Sequence, residues 1–243
     1  MKEEKCSLVI NNMLTGQSQR TNFEEIYRAA SIIKLPLLLV ILRKASLNQM
    51  MNTKVLLLDK DKVPGCGHLK NLPEGSEFSI EELCNYMISI SDNTATNLLL
   101  DYYGLSWFKQ EFLDLGLRDT KLKRKLFDKT QQSLGLENSF SVEEMSFLLE
   151  KIFVSSYLAK GDFYDRARDY LLQQKINHKL DPLLYRGSFV AHKTGEDDGI
   201  THDVGIVFSK TCYTFVFAAE NCDVKVREKQ YRDQSLFMVE NRI

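Results

Sequence analysis

Residues 188–219, SFVAHKTGEDDGITHDVGIVFSKTCYTFVFAA, decide the fold of this chain. Phe189 to Thr194, Val204 to Ser209 and Tyr213 to Ala219 are rich in valine, phenylalanine and threonine, and read as three strands. A short turn near Ser209-Lys210-Thr211 joins the last two as a hairpin, and an amphipathic helix over about 224–240 closes the chain. At the other end, residues 6–14 (CSLVINNML) read as a strand, with a second short strand near 22–28. Ser31 then opens an apolar stretch, Ile32 to Leu47, that is hydrophobic nearly all round, the pattern of a helix inside the protein. Pro36 is tolerated near the start of such a helix, which places that start at about Ser31.

Between these ends, residues 48–187 are mostly helical. Ser79-Ile-Glu-Glu82 and Ser141-Val-Glu-Glu144 have the form of capping boxes, each ahead of apolar residues at helical spacing. Gly104 is a helix stop after Leu98 to Tyr103. Strands at both termini around a helical middle imply an α/β (α+β) fold. Its antiparallel sheet is completed by both ends of the chain and flanked by helices, with an inserted mostly helical lobe. The expected division is 1–47 with 188–243 as the α/β lobe and 48–187 as the helical lobe.

A chain of 243 residues with 44% hydrophobic content buries a sizeable core. Lysine plus arginine (32) nearly balances aspartate plus glutamate (33), so no net field points to nucleic acid or an acidic membrane. Five cysteines at irregular spacing argue for free thiols. The run Met1-Lys2-Glu3-Glu4-Lys5 is followed by no apolar signal core, and Leu35 to Leu42 is too short to span a bilayer. A cytoplasmic protein is the expectation; a chain whose leader had been removed would be secreted.

Three motifs carry the chemistry: Ser31-Ile32-Ile33-Lys34, Ser91-Asp92-Asn93 and Lys193-Thr194-Gly195. A serine needs a base to take its proton. Lys34, three residues on, shares a helical face with Ser31, and a second cation such as Lys193 lowers its pKa. Ser91 offers a hydroxyl relay to a leaving nitrogen, and Asn93 an amide that holds substrate or Lys34. Lys193 anchors an anionic group, Thr194 binds a carboxylate, and Gly195 lets substrate approach the backbone. Each motif alone also has a plain reading: a helix cap with a surface lysine, a capping turn at Asp92, and a strand end whose turn is Glu196 to Gly199. Three unrelated turns would align in this order by chance on the order of a few times in a thousand at average composition.

With their flanks, Ala30-Ser31-x-x-Lys34-Leu-Pro36, Met87-Ile88-x-x-Ser91-Asp92-Asn93-Thr94-Ala95-Thr96-Asn97, His192-Lys193-Thr194-Gly195-Glu196 and His202-Asp203-Val204-Gly205-Ile206 resemble the class A β-lactamase and penicillin-binding superfamily. The resemblance covers nearly the whole chain and implies a β-lactamase/transpeptidase-like fold with its site between two lobes. It implies a serine hydrolase that forms an acyl-enzyme on Ser31. The oxyanion hole would be the backbone N–H groups of Ser31 and Glu196.

Two departures stand out. Thr120-Lys121-Leu122-Lys123-Arg124 matches the start of the family's water-activating loop, but Leu126 stands at its glutamate and Thr130 at its asparagine. Asp128 is the nearest carboxylate, a candidate for deacylation, with a loop salt bridge to Arg124 or Lys125 as its plainer role. Cys84 occupies one position of a disulfide often found in the family, and Leu38 the other, which suits a reducing compartment.

His178, His192 and His202 lack metal-ligand spacing, and Cys66 with His68 supplies only two donors, so neither metal nor cofactor is expected. The partner expected is a small β-lactam or acyl compound with an anionic group, and the oligomeric state is open. The reading is a hydrolase that opens a β-lactam or related amide or ester, with slow deacylation of penicillins. The alternatives are a sensor acylated without turnover, which Leu126 favours, and a cytosolic esterase or peptidase.

Overall fold

The computed structural model describes residues 3–48, 50–158 and 160–240. Its strands are β1 (Lys5–Asn12), β2 (Ser18–Thr21), β3 (Ile26–Arg28), β4 (Lys54–Leu56), β5 (Glu77–Ser79), β6 (Ser139–Ser141), β7 (Phe189–Asp197), β8 (Ile200–Phe208) and β9 (Tyr213–Glu220). Its helices are α1 (Lys34–Asn48), α2 (Ile80–Ser89), α3 (Asn93–Tyr103), α4 (Leu105–Asp114), α5 (Lys129–Ser133), α6 (Val142–Leu158), α7 (Phe163–Leu171) and α8 (Val224–Glu240).

One antiparallel sheet runs in the order β2-β1-β9-β8-β7, so the first strand pairs with the last and the two ends of the chain complete one layer. Side chains alternate across it. Ile10, Phe215 and Phe217 pack with Tyr231 of α8 on one face, while Val9, Val216 and Ala218 join the helical core on the other. Burial on both faces explains why β9 (YTFVFAAE) is apolar almost throughout, while β2 (SQRT) at the sheet edge is polar and exposed.

The nucleophile-bearing segment is the deepest part of the core. Leu35 and Leu37 to Leu42 are each at most 1% exposed, and each contributes about 1.5–3 kcal/mol by leaving water. The helix begins later than its apolar pattern indicates. Ala30–Ile33 form a 3₁₀ turn that feeds α1 at Lys34. In such a turn residues three apart eclipse, so Ser31 and Lys34 still face the same way. Pro36 sits in the first turn of α1, where a missing N–H removes no intrahelical bond.

Two other boundaries differ from the sequence pattern. The first strand stops at Asn12, because the Asn12 side-chain oxygen accepts from the N–H groups of Leu14 and Thr15 and turns the chain. Of the stretch 22–28 expected as a strand only Ile26–Arg28 is one, β3, which pairs with β6; β2, which pairs with β1, lies ahead of that stretch. At the other end, Glu196 and Asp197 continue β7, and the turn is confined to Asp198-Gly199, with Gly199 at φ +63. Charged residues at a hairpin tip still ladder through their backbone, which composition does not register. Among the described residues, no helix is long and apolar enough to cross a membrane.

Candidate active site

Ser91 is built to be approached from two sides. The Ser79 capping box starts α2, whose C-terminus at Ser89 leads into Ser91 at φ +56. A non-glycine residue in the left-handed region carries strain that the surroundings must hold. Asp92 supplies that hold: its carboxylate accepts from the N–H groups of His68 (2.8 Å), Leu69 (3.0 Å) and Ala95 (2.9 Å), capping α3 and tying down the facing loop. The close fit needs Gly67, where an added Cβ would lie 2.2 Å from the Asp92 carboxylate.

Lys34 Nζ donates to Ser91 O (2.7 Å), Ser91 Oγ (3.0 Å) and Asn93 Oδ1 (2.8 Å), and is fully buried. Lys193 Nζ, also fully buried, donates to the same Ser91 Oγ at 3.0 Å and to Thr194 O at 2.7 Å. Burial, followed by the charge of Lys193, holds the Lys34 pKa well below its ordinary value. Burial and then the charge of Lys179 push Lys193 down to about 7. Both lone pairs of the Ser91 hydroxyl are taken by these donors, which leaves its hydrogen as the group it can offer onward.

Above this cluster lies a cavity of about 330 Å³ whose wall includes Ser31, Asn93, Leu126, Phe127 and Glu196. Ser31 is half-buried beside Ala30, another strained position at φ +41. Gly195 packs against the Ser31 turn, where an added Cβ would meet Ile32 Cγ1 at 3.0 Å and Ile32 N at 3.3 Å. An added Cβ there would require Ile32 or β7 to give by a few tenths of an ångström. Thr194 is buried beside Lys193. The structure thus brings Ser31, Lys34, Ser91, Asn93, Lys193, Thr194, Gly195 and Glu196 to one region.

Asp128 is placed differently. It caps α5, its carboxylate accepting from Gln131 N–H at 3.0 Å, and is not part of the cavity wall. The salt bridge expected of it is not the one formed. Arg124 pairs with Glu137 at 2.7 Å and Lys125 with Asp101 at 2.8 Å, because the loop folds back and presents other carboxylates first.

Three features have no counterpart in the motif reading. Asn97 holds the backbone of Leu126 through two hydrogen bonds. Phe127, at φ +60 and 43% exposed, lies against Gly65 across the cavity mouth. His178, Glu196 and Glu228 bring one donor atom each within 4.8 Å of one another, a grouping invisible to sequence spacing. The Lys179 ammonium lies 3.1 Å from the Glu196 oxygen and 3.9 Å from the Glu228 oxygen of that group. A metal ion there would compete with a buried cation already in contact with both carboxylates.

Known proteins share this arrangement of chain. A β-lactamase from Sphaerobacter thermophilus superposes with a TM-score of 0.85 at 26% identity, over 99% of this chain and 92% of that one. PBP-A, as a leucine-to-glutamate mutant in acyl-enzyme complex with penicillin G, superposes with a TM-score of 0.84 at 23% identity, over 99% of this chain and 91% of that one. In sequence, β-lactamase VEB-1 of Pseudomonas aeruginosa is 23% identical over 96% of this chain and 83% of its own length. The profile described as the β-lactamase enzyme family matches residues 1–234. A match of that extent, over a sheet closed by both termini and a cleft carrying all three motifs, makes this chain a member of the β-lactamase enzyme family.

Proposed function

We propose that this chain is a serine hydrolase that opens β-lactams, or related amides and esters, through an acyl-enzyme on Ser31. The observation that carries the reading is the convergence of Lys34 and Lys193 on one oxygen, Ser91 Oγ, each at 3.0 Å, beneath a cavity walled by Ser31. Lys34, whose pKa burial and the charge of Lys193 hold well below its ordinary value, acts in its deprotonated form to take the Ser31 proton as the hydroxyl attacks the carbonyl. The Ser31 and Glu196 amides receive the oxyanion. Ser91 passes its hydrogen to the leaving nitrogen and regains from Lys34 the proton that Lys34 took from Ser31. Lys193 and Thr194 hold the substrate's anionic group, and Asn93 orients Lys34.

Deacylation is slow on this reading. Leu126, an alkyl side chain at the cavity wall, activates no water, and the Asp128 carboxylate is committed to a helix cap. The same Leu126 favours a second reading, a penicillin-binding sensor that is acylated without turnover. The two lobes, 1–47 with 188–243 and 48–187, act as one unit around the cleft. Free thiols at all five cysteines fit a reducing compartment.

Intact mass after mixing with penicillin G tests the reading. A mass increase of one penicillin that Ser31→Ala abolishes supports acylation; slow return to the free mass marks the hydrolase, and persistence marks the sensor. No adduct and no consumption of penicillin by the wild-type protein would refute both readings for penicillins and point to a different acyl substrate.

A further inference from the structure

Lys179 lies outside all three motifs, in the segment between α7 and β7, and its side chain is 0% exposed. Its Nζ donates to Gly195 O at 2.9 Å and to His202 O at 3.1 Å. Those two residues are directly opposite each other in the β7–β8 register. One ammonium therefore spans the hairpin ladder at the point where β7 passes the cavity. Glu196 Oε1 at 3.1 Å and Glu228 Oε1 at 3.9 Å balance its charge.

The consequence follows from the peptide group. Gly195 C=O and Glu196 N–H belong to one planar trans unit, in which carbonyl and amide point in opposite directions. A cation that fixes the carbonyl toward β8 turns the Glu196 N–H to the other side. That side is the open edge of the sheet, because β7 is the last strand in the order β2-β1-β9-β8-β7. Glu196 lines the cavity there together with Ser31. The same charge, acting in a buried place, also polarises the peptide and makes its N–H a stronger donor.

We propose that Lys179 is a positioning residue for acyl transfer, which holds the Gly195 carbonyl so that the Glu196 N–H is fixed and polarised toward the developing oxyanion. The inference rests on the acyl-transfer reading above. It separates Lys179 from a merely structural buried cation, because only a positioning role couples it to charge on the substrate carbonyl.

The test is the infrared carbonyl stretch of the penicillin G acyl-enzyme, measured with the acylation rate on wild type, Lys179→Met and Lys179→Arg. In Lys179→Met the ester band moves to higher frequency and acylation slows by about ten- to a hundredfold, approaching the loss of an oxyanion donor. Non-covalent penicillin affinity stays within about twofold, since the effect belongs to the transition state. Lys179→Arg, which keeps a cation, recovers most of the rate and moves the band back. An unmoved band and wild-type rate in Lys179→Met would overturn the proposal. Should Lys179→Met not fold, Lys179→Gln replaces it: a neutral donor gives an intermediate band, and a wild-type band refutes the polarising role. If wild type itself neither forms an adduct nor consumes penicillin, the acyl-transfer reading falls for penicillins, a result distinct from an adduct whose band ignores Lys179.

Discussion

Asn97 grips the backbone of Leu126 from both sides: its Oδ1 accepts from Leu126 N–H at 3.0 Å and its Nδ2 donates to Leu126 C=O at 2.9 Å. The pair joins α3 to the loop at the cavity wall and sets where the side chain at position 126 begins. A carboxylate introduced there starts from a backbone already held beside the cavity. Leu126→Glu is therefore expected to shorten the lifetime of the penicillin acyl-enzyme by about a hundredfold, the usual gain from a placed general base. The decay of the adduct mass with time measures it. An unchanged lifetime would show that the side chain does not reach the ester.

Removing the grip has the opposite character. Asn97→Ala deletes two partly buried hydrogen bonds to one residue, at a cost of about 2 kcal/mol. Urea unfolding should show a lower midpoint with an unchanged slope, and proteolysis should begin within residues 124–138. Acylation of Ser31, which depends on other groups, should survive.

The paired lysines predict a pH profile. Lys193 must be charged to hold an anion, and its pKa is pushed down to about 7 by burial and by Lys179. The second-order acylation rate, which reports the free enzyme, should fall as pH rises through about 7. Its acid limb should lie well below the usual lysine range, because Lys34 titrates low. In Lys193→Arg the alkaline limb should move well above that of the wild type, since a guanidinium stays charged.

Stability should run with pH in the opposite sense. The folded pKa of Lys193 is about 7 against an ordinary value of 10.5, so between these values the unfolded chain holds more protons. Stability contributed by this group therefore rises with pH across that window. Denaturation midpoints at pH 7 and pH 9 should differ in that direction, and Lys193→Met should flatten the difference.

Asp92 predicts a large structural effect. Its carboxylate satisfies three backbone amides, and Asp92→Ala would leave those of Leu69 and Ala95 buried without a partner. A loss of about 3 kcal/mol or more is expected. Gly67→Ala should be comparably damaging, because its Cβ would lie 2.2 Å from that carboxylate at a backbone φ of +101. Thermal unfolding of both variants against Gly75→Ala, where nothing lies within 4 Å of the added Cβ, separates crowding from backbone strain.

Much of this was legible in the chain. Apolar strands at both ends announced a sheet closed by the termini, because period and composition are local properties that survive without coordinates. The all-round apolar run after Ser31 announced a buried helix for the same reason. The boundary errors are local competitions that pattern cannot weigh: the Asn12 side chain ended β1, and backbone pairing carried β7 through two charged residues. The salt bridge expected between Asp128 and Arg124 or Lys125 does not form, because the Asp128 carboxylate accepts from a backbone amide three residues on while Arg124 and Lys125 meet carboxylates elsewhere in the fold.

The sequence alone determined which reactive groups exist and that they belong to one family, since spacing within each motif is set by covalent neighbours. Only the tertiary structure decided that two lysines share one hydroxyl, that Asn97 holds Leu126, and that Lys179 spans the β7–β8 hairpin. Those contacts join segments distant along the chain, and their distances are products of packing rather than of any local pattern.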